Sequence, residues 1–174
     1  MKNLTLIAIL LTSFSFVAFT SIVLNKYQIA DDYSIKFDGG GAAGTFSGLT
    51  GDIAFDANNL DASRINVSVD AATISTGNKT KDKHARGSSW FDVESYPNIT
   101  FASEKFEKTA EGYSVTGMFE MHGFKKSETI PFTFKDNIFA GKMTIDRQEY
   151  GIEGPFLAFT VSDEFEVSLR VPVK

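Results

Sequence analysis

Beyond residue 33 the chain alternates apolar and polar positions with a period of two, the spacing that puts every second side chain on the same face of a β-strand. The C-terminal stretch EFEVSLRVPVK shows it most cleanly. Phe165, Val167, Leu169, Val171 and Val173 share one face, while Glu164, Glu166, Ser168 and Arg170 share the other. One apolar and one wetted face make a half-buried antiparallel strand. YSIKF, RINVSVD, GYSVTGMFEM, TIPFTF and NIFAGKMTI repeat the pattern, and GTFSGLTGDIAFD and NITFASEKF extend it, so about eight strands are predicted. Turn signals separate several of them: AEG at 110–112, HG at 122–123 and DN at 136–137. Each is short enough for a hairpin, which makes consecutive strands neighbours.

One connection lacks alternation. Residues 72–97 contain STGN, where Ser75, Thr76 or Asn78 can cap a helix, and end on Pro97, which favours extended chain before the next strand. One or two short helices are expected between about 75 and 97. About eight antiparallel strands with one helical excursion suit an all-β barrel, a sheet closed on itself around an interior that can hold one small ligand. Two features break the regularity. Pro131 cannot donate to a ladder and so demands a bulge, a seam or an edge. The glycines of GGGAAG (39–44) call for a bend or for close approach by another backbone or a ligand.

Composition narrows the picture. A chain of 174 residues is one domain with a real core. Its 17 Phe and 5 Tyr, against 4 Pro, form an aromatic stock that must be buried or must line something. The net charge of −5 comes with scattered basic residues, concentrated only in KTKDKHARGSSWF (79–91), and that argues against nucleic acid as a partner. The absence of cysteine excludes disulfides, thiolate metal sites, a thiol nucleophile and a lipidated cysteine. The opening MKNLTLIAILLTSFSFVAFTSIVLNK has one early cation, Lys2, and then no charge until Lys26, the pattern of an export signal. Ala18 and Thr20 offer small residues for a cut after Thr20, yet the uncharged run from Leu4 to Leu24 is also long enough to span a bilayer uncut. Residues 1–24 are thus expected to be a signal peptide or an N-terminal anchor. Residues 28–174 are expected to form the barrel, working outside the cytoplasm.

Several stretches carry a resemblance: GTFSGLTGDIAFD (44–56), SRINVSVDAATISTGN (63–78), KDKHARGSSWFDVESYPNITF (81–101), YSVTGMFEMHGFKK (113–126) and RQEYGI (147–152). In this order the chain resembles the YceI-like family over essentially all of its exported part. The resemblance implies an extended, lipocalin-like antiparallel barrel, usually periplasmic, whose apolar interior holds a polyisoprenoid or similar amphiphilic lipid. It brings no established catalytic residues and no cofactor besides the bound isoprenoid-type lipid. The chain departs from the pattern near the presumed mouth. Glycines 39–41 stand where many relatives have a histidine, Lys81-Asp82 replaces Arg-Asp, and Ala85 replaces a leucine.

Strand parity places Phe37, Phe46, Phe55, Val67, Val69, Phe101, Val115, Phe119, Ile130, Phe132, Phe134, Met143, Phe165, Val167 and Leu169 on the apolar faces. Parity alone fits either a solid core or a hollow one, and the resemblance favours a lipid-holding lumen. In the excursion, Lys79, Lys81, Lys83 and Arg86 fit a solvated helix face. The alternative is a head-group or lid site of Lys81, His84, Arg86, Trp90 and Phe91, with transient contact to a membrane surface. Trp90 and Phe91 are expected to plug inward. Neither His84 nor His122 has a nucleophile or metal-ligand spacing around it, so no catalytic and no metal site is assigned. Arg147 is expected to pair with Asp146, Glu149 or an acid across the sheet, and a seam exposed at Pro131 would invite a homodimer. The function predicted is a periplasmic carrier of an amphiphilic lipid. The competing readings are an enzyme acting on an isoprenoid lipid and a non-catalytic envelope stress or partner protein with a dry core.

Overall fold

The computed structural model describes residues 25–154 and 161–174; the segment expected to be a signal or anchor, 1–24, lies outside the described residues. Ten strands form one antiparallel sheet: β1 Lys26–Tyr27, β2 Ser34–Gly39, β3 Ala42–Phe46, β4 Leu49–Ala54, β5 Arg64–Asp70, β6 Asn98–Lys108, β7 Tyr113–Met121, β8 Phe124–Lys135, β9 Ile138–Asp146 and β10 Glu164–Pro172. Their order across the sheet is β1-β4-β5-β6-β7-β8-β9-β10-β2-β3, so from β4 to β10 each strand lies beside its successor. The turns that enforce this are chemically specific. His122 and Gly123 have φ of 52° and 78°, and Asp136 and Asn137 have 52° and 57°, the paired positive values that match a two-residue turn to the strand twist.

The count exceeds the predicted eight for two local reasons. GTFSGLTGDIAFD is cut into β3 and β4 at Gly48, whose φ of 68° is the left-handed conformation that glycine adopts without strain. β1 has only two residues, too few to show alternation.

The sheet rolls up and is stitched where its edges meet. Beyond β1, Gln28 and Lys174 exchange backbone hydrogen bonds of 2.7 and 2.9 Å, and the Ala30 amide donates to the Pro172 carbonyl at 2.9 Å, which ties the β1 edge to β10. At the other end Thr45 of β3 and Ser75 exchange bonds of 2.9 Å each. Gly44 sits beside that second stitch. A Cβ there would collide with the Ser75 carbonyl, so GGGAAG supplies the close backbone approach that the sequence called for.

Pro131 marks a third junction. The β8–β9 ladder runs only from Phe132↔Gly141 to Lys135↔Ile138, and Pro131 faces Ser114 on β7, where β8 leaves β9. The gap beyond it is filled by the 3-10 turn Arg147–Tyr150. Tyr150 is wholly buried, with its ring 5.5 Å from that of Phe119. Its hydroxyl donates to Glu128 Oε1 at 2.6 Å, and its carbonyl meets His122 Nδ1 at 3.1 Å. Burial, reinforced by the Glu128 carboxylate, pushes the phenol above its ordinary range, so it stays a donor. The seam expected at Pro131 is therefore present, with Pro131 itself exposed and the neighbouring stretch of β8 around Glu128 covered by Tyr150.

The excursion contains one α-helix, α1, Lys79–Arg86, after a 3-10 turn at Ala71–Thr73. Asn78 is the residue that caps it: its side chain accepts from the amides of Thr80 and Lys81 at 3.0 and 3.1 Å, satisfying two of the orphan donors of the first turn.

Candidate lipid-binding site

At the end of the roll where β1 meets β10, henceforth the lower end, the inward residues are aromatic and in mutual contact. Phe55, 1 % exposed, has Phe106, Tyr113, Phe132, Phe134 and Phe139 around it at ring-centroid distances of 5.1–6.0 Å. Phe134 and Phe139 lie 4.3 Å apart, and Tyr27 of β1 closes over both at 5.5 and 6.1 Å. The edge-to-face geometry of most of these pairs adds quadrupole attraction to the burial. The lower end is solid.

Above the plug the interior is hollow. A cavity of about 190 Å³ is walled by Phe46, Val67, Val69, Phe101, Val115, Phe119, Ile130, Phe132, Met143, Val167 and Leu169, all expected on the inner face, together with Ile35, Leu49, Ile53, Ile65, Ile99, Met121, Phe139, Ile145 and Val171. Several of these wall residues, among them Val67, Val69, Val167 and Leu169, are only half-buried although they point inward. A filled interior would have covered them. A second cavity of about 340 Å³ stands over the first, and Phe46, Met121, Ile145 and Val167 belong to the walls of both. The upper cavity contains Phe37 and Phe165 as expected, plus Thr76, Lys81, His84, Trp90, Phe91, Arg147 and Ile152. Gly41, Lys81 and His84 are exposed and form its rim.

Two lumen assignments are corrected: Phe55 and Phe134 line neither cavity and belong to the plug. Their parity is right, but parity fixes the face of a strand and not the height along the barrel axis. One head-group assignment is corrected as well. Arg86 turns away from the cavity, donating from Nε to the Ala72 carbonyl at 2.6 Å and from its terminal nitrogen to the Ile74 carbonyl at 2.8 Å. It latches α1 to the preceding turn. Lys81, His84, Trp90 and Phe91 do stand at the upper cavity. Phe91 packs on Phe46 at 5.6 Å, which fastens the excursion over the mouth.

Asp82 and Arg147 organise this end. Asp82 is buried on α1 and accepts from the Thr76 amide and hydroxyl at 2.7 Å each. The amide bond first, and the hydroxyl bond second, hold its carboxyl below the usual range. Arg147, 6 % exposed, donates to the carbonyls of Ser162, Ile152 and Glu153 at 3.0, 2.6 and 2.6 Å and to Asp163 Oδ1 at 2.6 Å. Its carbon lies 5.5 Å from the Trp90 ring centre, within cation–π range. Its acid partner is Asp163, not Asp146 or Glu149. With four of its five N–H donors engaged, Arg147 holds the chain on both sides of residues 155–160 to the barrel and is not a free cation. Lys81 and His84 are the basic side chains that the described structure leaves without an ion pair at the mouth.

No group of three or more His, Asp or Glu side chains among the described residues is placed to hold a metal ion. The polar groups of the upper cavity offer hydrogen-bond donors and positive charge, and the lower cavity offers hydrocarbon contact. A molecule with a polar end and an apolar tail satisfies both.

Comparison with known proteins agrees with this architecture. Among solved structures, Burkholderia cenocepacia BcnA superposes with a TM-score of 0.75 at 23% identity, covering 82% of this chain and 96% of that one. A Campylobacter jejuni YCEI protein gives 0.62 at 18% identity, over 100% of this chain and 99% of the other. A polyisoprenoid binding domain from Saccharophagus degradans implicated in plant cell wall breakdown gives 0.62 at 11% identity, over 87% and 99%. At these identities the likeness is one of fold. Curated relatives include a UPF0312 protein of Yersinia pestis, 34% identical over 50% of this chain and 45% of that protein, and one of Pseudomonas savastanoi, 35% identical over 64% of each. The chain spans about half the length of the first of these relatives. A family described as the YceI-like domain matches residues 18–173, nearly the whole chain, and the protein belongs to that family.

Proposed function

We propose that the chain is an exported, periplasmic carrier that holds an amphiphilic lipid of isoprenoid type, tail in the lower cavity and polar end among Thr76, Lys81 and His84. The observation that carries this is the stacking of an almost wholly apolar void under a basic-rimmed one, with a shared waist and a solid floor. The polyisoprenoid-binding description of the Saccharophagus degradans domain supports the same ligand class. Burying hydrocarbon releases roughly 0.8 kcal/mol per methylene, so a tail of several prenyl repeats offsets its own ordering. A bilayer offers the tail comparable burial. Transfer between membrane and protein is then close to neutral, as a carrier requires.

Mass spectrometry of the protein isolated from its native envelope under non-denaturing conditions tests the assignment. A co-purifying isoprenoid amphiphile is expected, and it should be absent from Val167→Asp, which sets a carboxylate at the waist between the cavities. A folded wild-type protein that emerges empty, and that takes up no prenol from vesicles, removes the carrier assignment.

A further inference from the structure

The floor of the bore is as informative as the bore. Phe132 and Phe139 wall the lower cavity and are at the same time members of the aromatic plug. Phe139 is backed by Phe134 at 4.3 Å, Phe55 at 5.5 Å and Tyr27 at 6.1 Å, and beneath these rings residues 28–30 hydrogen-bond to the end of β10. A tail that reaches Phe139 therefore meets stacked rings under a closed backbone. To go deeper it must dislodge several buried aromatic side chains together. That costs more than one further prenyl repeat recovers by leaving a bilayer in which it was already buried.

We propose that the plug is a chain-length ruler, with Phe132 and Phe139 as its stop, and that the protein selects short prenyl tails over long polyisoprenoid ones. The depth follows from β10, which contributes Phe165 to the upper wall and Val171 to the lower. Six residues of strand measure about 20 Å, and a barrel tilt of about 40° reduces that to roughly 15 Å along the axis. An extended chain advances about 1.2 Å per bond, so the bore takes about 12 to 13 bonds of tail. That is roughly three prenyl repeats and the start of a fourth. The inference rests on the carrier assignment and adds to it the size class of the ligand and the residues that set it.

The test loads phosphatidylcholine vesicles with single prenols of two to eight repeats, incubates them with the full chain, separates protein from vesicles and measures the prenol carried off. Trp90, the only tryptophan and part of the upper wall, gives a second readout by its fluorescence. The wild type should extract three- and four-repeat prenols best, with at least a ten-fold fall for each repeat beyond the fourth. Phe139→Ala should lower the floor and shift the optimum up by about one repeat, and Val115→Phe should raise it and shift the optimum down by about one. Circular dichroism melting checks each variant; where Phe139→Ala does not fold, Phe139→Leu and Val115→Phe carry the comparison. Equal extraction of eight- and four-repeat prenols by the wild type, or an optimum that stays put in folded variants, overturns the ruler and leaves the carrier standing. Extraction of no prenol at all removes both.

Discussion

The two ends of the barrel interior use the same residue types for opposite purposes. At the lower end Phe55, Phe106, Phe132, Phe134 and Phe139 touch one another and exclude space. At the upper end Phe37, Phe46, Phe91 and Phe165 are just as aromatic, with Phe37 5.5 Å from Phe46 and 6.0 Å from Phe165, yet they ring a void of about 340 Å³. The difference lies in what crosses the axis. In the plug, rings from β6, β7, β8 and β9 converge on Phe55, and Tyr27 of β1 closes over two of them. Just above the plug, around the lower cavity, β5 contributes Val67 and Val69 and β10 contributes Val167 and Leu169, too short to meet across the same width. Aromatic content therefore makes a core or a wall depending on the reach of the opposing side chain.

Removing the centre of the plug should have the largest consequence. Phe55→Ala deletes the ring that the others contact, and about 3–5 kcal/mol of unfolding free energy should be lost, read as a fall in the denaturation midpoint in urea at an unchanged slope. Arg147→Met is next. It leaves three carbonyls and Asp163 without their donor, and about 3 kcal/mol is expected to go, with the effect confined to the mouth: amide exchange should accelerate around residues 147–153 and 162–163 while the plug keeps its protection. A loss of plug protection in Arg147→Met would show that the two ends are not separate units.

A subtler pair probes hollowness itself. Val115 is 3 % exposed and Val67 is half-buried, yet both wall the lower cavity. A threonine hydroxyl at 115 has no water or partner and should cost about 1–3 kcal/mol. At 67, water in the lumen can solvate it, and the cost should stay below about 1 kcal/mol. Equal losses measured by thermal melting would mean that the lower cavity is dry and closed.

How far the sequence discloses this division depends on which coordinate is asked for. Alternation discloses the face: Val67, Phe101, Val115, Val167 and Leu169 all point inward, and Ile35, Ile65, Phe139, Ile145 and Val171 were equally legible as companions on those faces. Height is not disclosed, because it follows from register and tilt. Phe55 and Phe134 therefore read as lumen residues although they are plug. Local chemistry was legible where it acts over one turn, as in the Asn78 cap and the Asp136-Asn137 hairpin. It was not legible where a side chain reaches across the fold. Arg86 finds carbonyls twelve and fourteen residues away, and Arg147 finds Asp163 across the chain reversal that precedes β10.

Acid should loosen the mouth before the plug. The Asp82 carboxyl is held below its ordinary range, so its contribution is complete above the unfolded pKa of about 3.9 and is lost as pH falls through the lower folded value. Between pH 7 and 5 no change is expected from this group. Below about pH 4 that contribution should begin to decline, and as pH falls through the lower folded value the Thr76–Asp82 bonds should fail and α1 should detach, seen as a Trp90 emission shift that precedes global unfolding. Asp82→Asn should abolish that pH-dependent step. If Trp90 and the far-ultraviolet signal move together in the wild type, the mouth has no independent acid transition.

The smallest effect on stability should come from the cations. Lys81→Glu and Lys83→Glu alter exposed side chains of α1 that have no ion pair in the described structure, and each should change the unfolding free energy by no more than about 0.5 kcal/mol. Their value lies in the difference between them. Lys81 stands on the rim of the upper cavity and Lys83 does not. If the rim meets the polar end of the ligand, Lys81→Glu should weaken uptake of an anionic amphiphile while sparing the neutral prenol of the same length, and Lys83→Glu should do neither. If α1 instead only draws the protein to an anionic membrane surface, the two reversals should be equivalent, both reducing vesicle association and both recovering in high salt. Matching uptake and vesicle binding in the two variants therefore decide whether the positive charge of α1 belongs to the mouth of the bore or to its outer surface.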